Sequence, residues 1–78
     1  SLVSIKEILN YALKLRASGI IIMHNHPSGN LSPSDADKIL TNKLIVAANA
    51  VEIPLLDHII TSGKSFYSFF EGEIIHEK

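Results

Sequence analysis

The chain has no cysteine among its 78 residues. That excludes disulfides and thiolate metal ligands, and it suits a reducing compartment, for which we expect the cytoplasm. Any metal must therefore be held by histidine and carboxylate. Neither sign of charge dominates: 7 basic and 8 acidic residues leave a net charge of -1, with no dense basic run. Strong nucleic-acid binding usually needs a basic patch, so this balance argues against it. No apolar run approaches the roughly 20 residues that cross a bilayer. The first residues carry acidic Glu7 and helical periodicity, which do not suit a secretory signal. Repeats and low-complexity segments are absent. What remains is one small domain, residues 1–78, whose 46% apolar content is enough for a real core.

The stretch most rich in chemistry is His24-Asn25-His26-Pro27, followed by Ser34 and Asp37. The histidines lie one residue apart at the end of the apolar run Gly19 to Met23. In an extended chain, residues i and i+2 point to the same side, so both imidazoles can converge on one point. Two histidines and one aspartate are a common ligand set for a catalytic divalent metal. Such a metal keeps a position open for water and lowers its pKa to about 7. Ser34 and Asp37, at i and i+3, share a helix face and can both turn toward the histidine loop.

The rest of the chain supplies a frame. Ser4 and Glu7 form a capping box, and Ile5, Ile8, Leu9, Ala12 and Leu15 make the stripe of an amphipathic helix over residues 5–17, ended by Ser18-Gly19. Gly19 to Met23 shows no alternation and predicts a strand buried on both faces by helices. A turn of Pro27-Ser28-Gly29-Asn30 follows. Ser32 suits the N-cap of a second helix over residues 33–50, with Pro33 first in the helix and Asp35 closing a second box. In that register Ser34 is not the cap. The stripe of Ala36, Ile39, Leu40, Leu44, Ala47, Ala48 and Val51 should be its buried face. After Ile53-Pro54, residues 55–61 and 66–70 predict a hairpin closed by Ser62-Gly63-Lys64-Ser65. Residues 71–78 are polar and expected to fray, unless Ile74-Ile75 dock. The order helix, strand, helix, strand, strand predicts an α/β sandwich. We expect it to be part of a larger sheet, or a homo-oligomer through an open sheet edge.

Other residues have plainer readings. Asp57-His58 is either a partner of the metal ligands or part of a substrate groove, but a half-exposed strand pair is the simpler expectation. Asn25 points away from the histidines. His76 lies in the tail, with no expected role. Phe66, Tyr67, Phe69 and Phe70 could stack bases, although alternation favours the core for half of them. The letters His-Asn-His do not make this an HNH nuclease, whose residues are spread along a hairpin.

His24-Asn25-His26-Pro27, seven residues from 27 to 33, then Ser34-Asp35-Ala36-Asp37 resembles the JAMM motif of the JAB/MPN metalloprotease superfamily. The closer resemblance is to its bacterial RadC-like branch, supported by the look of segments 24–29 and 55–60. It covers nearly the whole chain. It implies a three-layer-like α/β sandwich, here a fragment of a JAB/MPN (cytidine-deaminase-like) domain lacking its first strands. It further implies zinc held by His24, His26 and Asp37, and Ser34 as a catalytic donor to an oxyanion. The reaction implied is hydrolysis of a peptide or isopeptide bond. The family pattern also includes a general-base Glu on a strand before the first helix. Glu7 does not match it, being a capping residue, so metal binding with weak or no turnover is expected; a general base contributes about 10²–10⁴-fold. The competing functions are a non-catalytic MPN-like module that binds a protein, and a nucleic-acid binder following the branch's DNA-repair name.

Overall fold

The computed structural model describes residues 4–76. Its elements are α1 (Ile5–Lys14), β1 (Ile20–Asn25), α2 (Asp35–Ala50), β2 (Leu55–Ser62), β3 (Ser65–Ser68) and β4 (Glu73–His76). The strands form one sheet in the order β1-β2-β3-β4, with β1 parallel to β2 and the rest antiparallel. The class is mixed α/β with the expected element order, extended by one strand. Residues 73–76, expected to fray, pair with β3 instead, and their hairpin turns at Gly72, whose φ is +70°.

The Ser4 hydroxyl accepts from the Glu7 N–H at 3.1 Å and starts α1. The helix stops at Lys14, three residues before the expected end. Arg16 takes the left-handed conformation (φ +52°), and the N–H groups of Arg16 and Ala17 donate back to the carbonyls of Leu13 and Ala12. This Schellman closure satisfies the last carbonyls before Ser18-Gly19 is reached. α2 ends the same way at Glu52 (φ +61°), with Glu52 and Ile53 donating to Asn49 and Ala48.

The core joins both helices to one face of the sheet. Leu44, Ala48 and Leu55 are buried, with Ile5, Ile8, Leu9, Ile20, Ile22 and Ile45 packed around them. β1 alternates between half-buried and exposed, so the expected burial on both faces is not what the described residues show. Ile21 and Met23 are open to solvent on the second face, and among the described residues β1 has a strand partner on one side only. The buried stripe of α2 is also rotated from expectation. It runs Asp37, Thr41, Leu44, Ala48, while Ile39 is exposed. A purely apolar stripe missed the two polar members, because polar groups are buried where they have hydrogen-bond partners. No helix among the described residues is long and apolar enough to cross a membrane.

Candidate metal centre

The carboxyl end of β1 and the N-terminus of α2 meet at one point. Paired to Ile60 of β2, His24 lies within the strand, on the same face as Ile20 and Ile22. His26 lies just past it, but its N–H donates to the Thr61 carbonyl at 2.9 Å and continues the ladder. Both rings are thus held by β2 on one side of the chain, as their i, i+2 spacing requires.

The loop then turns sharply. The Gly29 N–H donates to the His26 carbonyl, and Gly29 has a φ of +87°, a region that a Cβ disfavours. The turn brings the Asn30 carbonyl to 2.7 Å from His26 Nδ1. A carbonyl oxygen only accepts, so His26 carries a proton on Nδ1 and, when neutral, has a bare lone pair on Nε2.

α2 starts two residues later than expected. Ser34 is the N-cap, and Asp37 closes the box rather than Asp35. The Ser34 hydroxyl accepts from the Asp37 N–H at 3.1 Å, and Asp37 Oδ2 accepts from the Ser34 N–H at 2.7 Å. The Ser32 N–H is satisfied elsewhere, by the Asn30 side-chain oxygen. The physical reason is economy of donors: one serine and one aspartate satisfy two otherwise orphaned N–H groups at the helix entrance. The same box fixes the Asp37 carboxylate, with Oδ1 turned toward His24 and Oδ2 shared between the Ser34 N–H and the side of His26.

The outcome is convergence. His24 Nε2 lies 3.1 Å from Asp37 Oδ1, His26 Nε2 lies 3.4 Å from Asp37 Oδ2, and the two Nε2 atoms are 2.9 Å apart. One ligand atom from each residue fits within 4.8 Å of the others, a grouping that can hold a metal ion. Asp37 is buried, at 5% exposure. Burial alone raises the pKa of a carboxyl group. Here the Ser34 hydrogen bonds and the positive potential of His24 and His26 outweigh it and hold Asp37 below the usual range. The group is therefore ionised near neutrality, as a metal ligand must be.

Ser34 lies at the mouth. A cleft of about 430 Å³, lined in part by His26, Pro33 and Ser34, opens onto the site. A larger cavity of about 510 Å³ sits between α1 and β1, touches none of the three converging residues, and includes Glu7 in its wall. Asn25 is exposed and lies on the opposite face of β1 from His24, as its reading away from the histidines expects. His76 lies on β4, where its Nδ1 is 2.7 Å from the Ser65 hydroxyl.

His58 departs most from expectation. It is fully buried, not half-exposed, and its Nε2 lies 3.0 Å from His24 Nδ1. Its Nδ1 is 2.6 Å from the Thr41 hydroxyl, which donates to the Asp37 carbonyl at 2.8 Å. Burial, then the repulsion of nearby His24, push the His58 pKa down. Phe69 stacks on its ring at 4.4 Å, nearly parallel. Asp57 points the other way. It accepts from the N–H groups of His58 and Phe70 and from the Ser68 hydroxyl, and so pins the turn carrying Phe69. The cause is a bulge: Ile20 pairs with Leu55 but Ile21 with Asp57, so Leu56 is an extra residue. After a bulge the period-2 pattern changes phase, which turns His58 inward in place of Asp57. Thr41 was missed because it is polar. The stripe of Leu44 and Ala48, extended back by three and then four residues, would have found Thr41 and Asp37.

Comparison with known proteins shows the family. A family model described as RadC-like JAB domain matches residues 1–74. A UPF0758 protein of Lactococcus lactis is 48% identical over 69 residues, covering 88% of this chain and 30% of the relative. A UPF0758 protein of Pseudoalteromonas translucida is 49% identical over 70 residues, 90% of this chain and 31% of the relative. The UPF0758 protein YfjY of Escherichia coli is 44% identical over 70 residues, 90% of this chain and 44% of the relative. The chain thus spans less than half the length of these relatives. With a matching model over nearly all its residues, it belongs to the RadC-like JAB domain family.

Proposed function

We propose that this chain is the metal-binding part of a zinc-dependent hydrolase acting on peptide or isopeptide bonds. The observation that supports it is the meeting of two imidazole Nε2 atoms and a buried carboxylate at one point. The ligands are His24, His26 and Asp37, a nitrogen and oxygen donor set that suits zinc and leaves a coordination position open. When bound, the metal supplies a Lewis acid that polarises a carbonyl oxygen.

The protein's own groups do the rest. The Asn30 carbonyl holds the His26 proton on Nδ1 and so presents Nε2 to the metal. The Ser34 N–H orients the Asp37 carboxylate. The Ser34 hydroxyl accepts from the Asp37 N–H, which uses one lone pair and leaves its O–H proton available. That proton donates to the oxygen of a carbonyl as negative charge develops on it, without changing the serine's own charge. The substrate approaches through the cleft beside Pro33 and Ser34. Among the described residues no group is assigned as a general base, and Glu7 lies in the wall of the cavity between α1 and β1, which touches none of the three ligands. From residues 4–76 we therefore expect metal binding with little turnover.

Metal analysis of the chain purified without added metal tests this. We expect about one zinc ion per chain, lost in His26→Ala and in Asp37→Asn. Zinc below about a tenth of an equivalent in the unaltered chain so purified would overturn the reading.

A further inference from the structure

We propose that Thr41 and His58 are positioning residues for His24. Together they form a buried hydrogen-bond relay that keeps a proton on His24 Nδ1 and turns the Nε2 lone pair toward the metal position. The inference rests on the metal-centre reading above and names how one of its ligands is prepared.

The direction of the relay follows from counting protons. The Thr41 hydroxyl has one proton, and the Asp37 carbonyl oxygen, 2.8 Å away and one turn back in α2, can only accept. With its proton committed there, Thr41 Oγ1 meets His58 Nδ1 at 2.6 Å as an acceptor, so that nitrogen carries hydrogen. His58 is fully buried, and its ring nitrogens pair with the Thr41 hydroxyl and the His24 ring rather than with a carboxylate that could balance an imidazolium. The ring is therefore neutral, and its Nε2 holds a lone pair. His24 Nδ1, 3.0 Å away, must be the donor to it. That leaves His24 Nε2, 3.1 Å from Asp37 Oδ1, as the ligand atom.

The relay is a closed circuit. It starts at the Asp37 carbonyl and returns, through Thr41, His58 and His24, to the Asp37 carboxylate. Three elements, α2, β2 and β1, are thereby locked around one point. Phe69 lies flat on His58 and closes this face to water. Reversing the circuit would place the His24 proton on Nε2, inside the ligand set, where it would oppose a metal ion. Histidine ligands depend on such outer partners for tautomer and orientation.

Two measurements test the proposal. Nitrogen-15 NMR of histidine-labelled chain, metal-free at about pH 8 where imidazoles are neutral, should show His58 protonated on Nδ1. His24 should likewise be protonated on Nδ1. Zinc affinity, read by competition with a chromophoric chelator, should fall about 10–100-fold in Thr41→Val. Thr41→Ser, which keeps the hydroxyl, should restore it to within a few-fold. His58 protonated on Nε2, or equal zinc affinity in Thr41→Val and the unaltered chain, overturns the relay. If Thr41→Val does not fold, the tautomer spectrum of the unaltered chain decides. Failure of the unaltered chain to take up zinc defeats the metal-centre reading instead, while the same spectrum still reads the relay.

Discussion

At the residue scale, chemistry here is set by which atom of each side chain is already spoken for. Asp37 spends one oxygen on the Ser34 N–H, His26 spends Nδ1 on the Asn30 carbonyl, and Ser34 spends a lone pair on α2. Gly29 makes the second of these bonds reachable through its positive φ. Gly29→Ala should cost about 1 kcal/mol, the left-handed penalty for an L-residue. Denaturant unfolding and zinc affinity should both register it. The titrating groups predict how the metal-free chain responds to pH. The His58 pKa is lowered on folding, so the unfolded chain binds the proton more readily below about pH 6.5. Stability is therefore full above that value and declines as pH falls through the window down to the lowered pKa. The Asp37 pKa is also lowered, so its contribution is present above about pH 3.9 and is lost further down. Chemical denaturation of the metal-free chain at several pH values between neutrality and about 4 should show midpoints that fall with acidification. A midpoint that rises as pH drops below neutrality would contradict the neutral, buried His58.

At the element scale, the helices and strands owe their limits to short polar devices. The Ser4 cap and the helical stripe made α1 legible from sequence, but its end was not. A left-handed Arg16 closes it where a glycine is the usual choice, and composition gives no sign of that. Glu52 does the same for α2. Glu52→Gly should relieve a strain of about 1–2 kcal/mol against about 0.5–1 kcal/mol of extra chain entropy. The net expectation is a small stabilisation, read as a higher thermal midpoint. β2 holds the more consequential device. Its bulge at Leu56 sends His58 into the core and leaves Asp57 to bind the turn after β3. Asp57→Ala removes three hydrogen-bond donors' partner at once, and should cost about 2 kcal/mol. Because that turn carries Phe69, exchange of the Phe70 and Glu71 amides should accelerate in the same variant.

At the scale of the whole molecule, the sheet formed by the described residues has an open edge at β1. Among the described residues β1 pairs only with β2, and Ile21, Met23 and Leu56 are exposed on the face away from the helices. An unpaired strand edge with an apolar face invites pairing with another chain. The isolated chain should associate as its concentration rises, seen as a shift to earlier elution in size exclusion. Ile21→Lys, which places a charge on that face, should reduce the shift without altering zinc content.

The sequence by itself determined the α/β class, the element order as far as β3, and the convergence of His24, His26 and Asp37. Those features follow from local rules: strand periodicity aligns His24 with His26, and a helix entrance sets Asp37 one turn beyond Ser34. Tertiary structure decided the cap register of α2, the fourth strand, the exposed face of β1 and the burial of His58 beside Thr41. Each depends on contacts distant in sequence. A bulge shifts which residues face inward, and a polar residue is buried only where the fold brings it a partner.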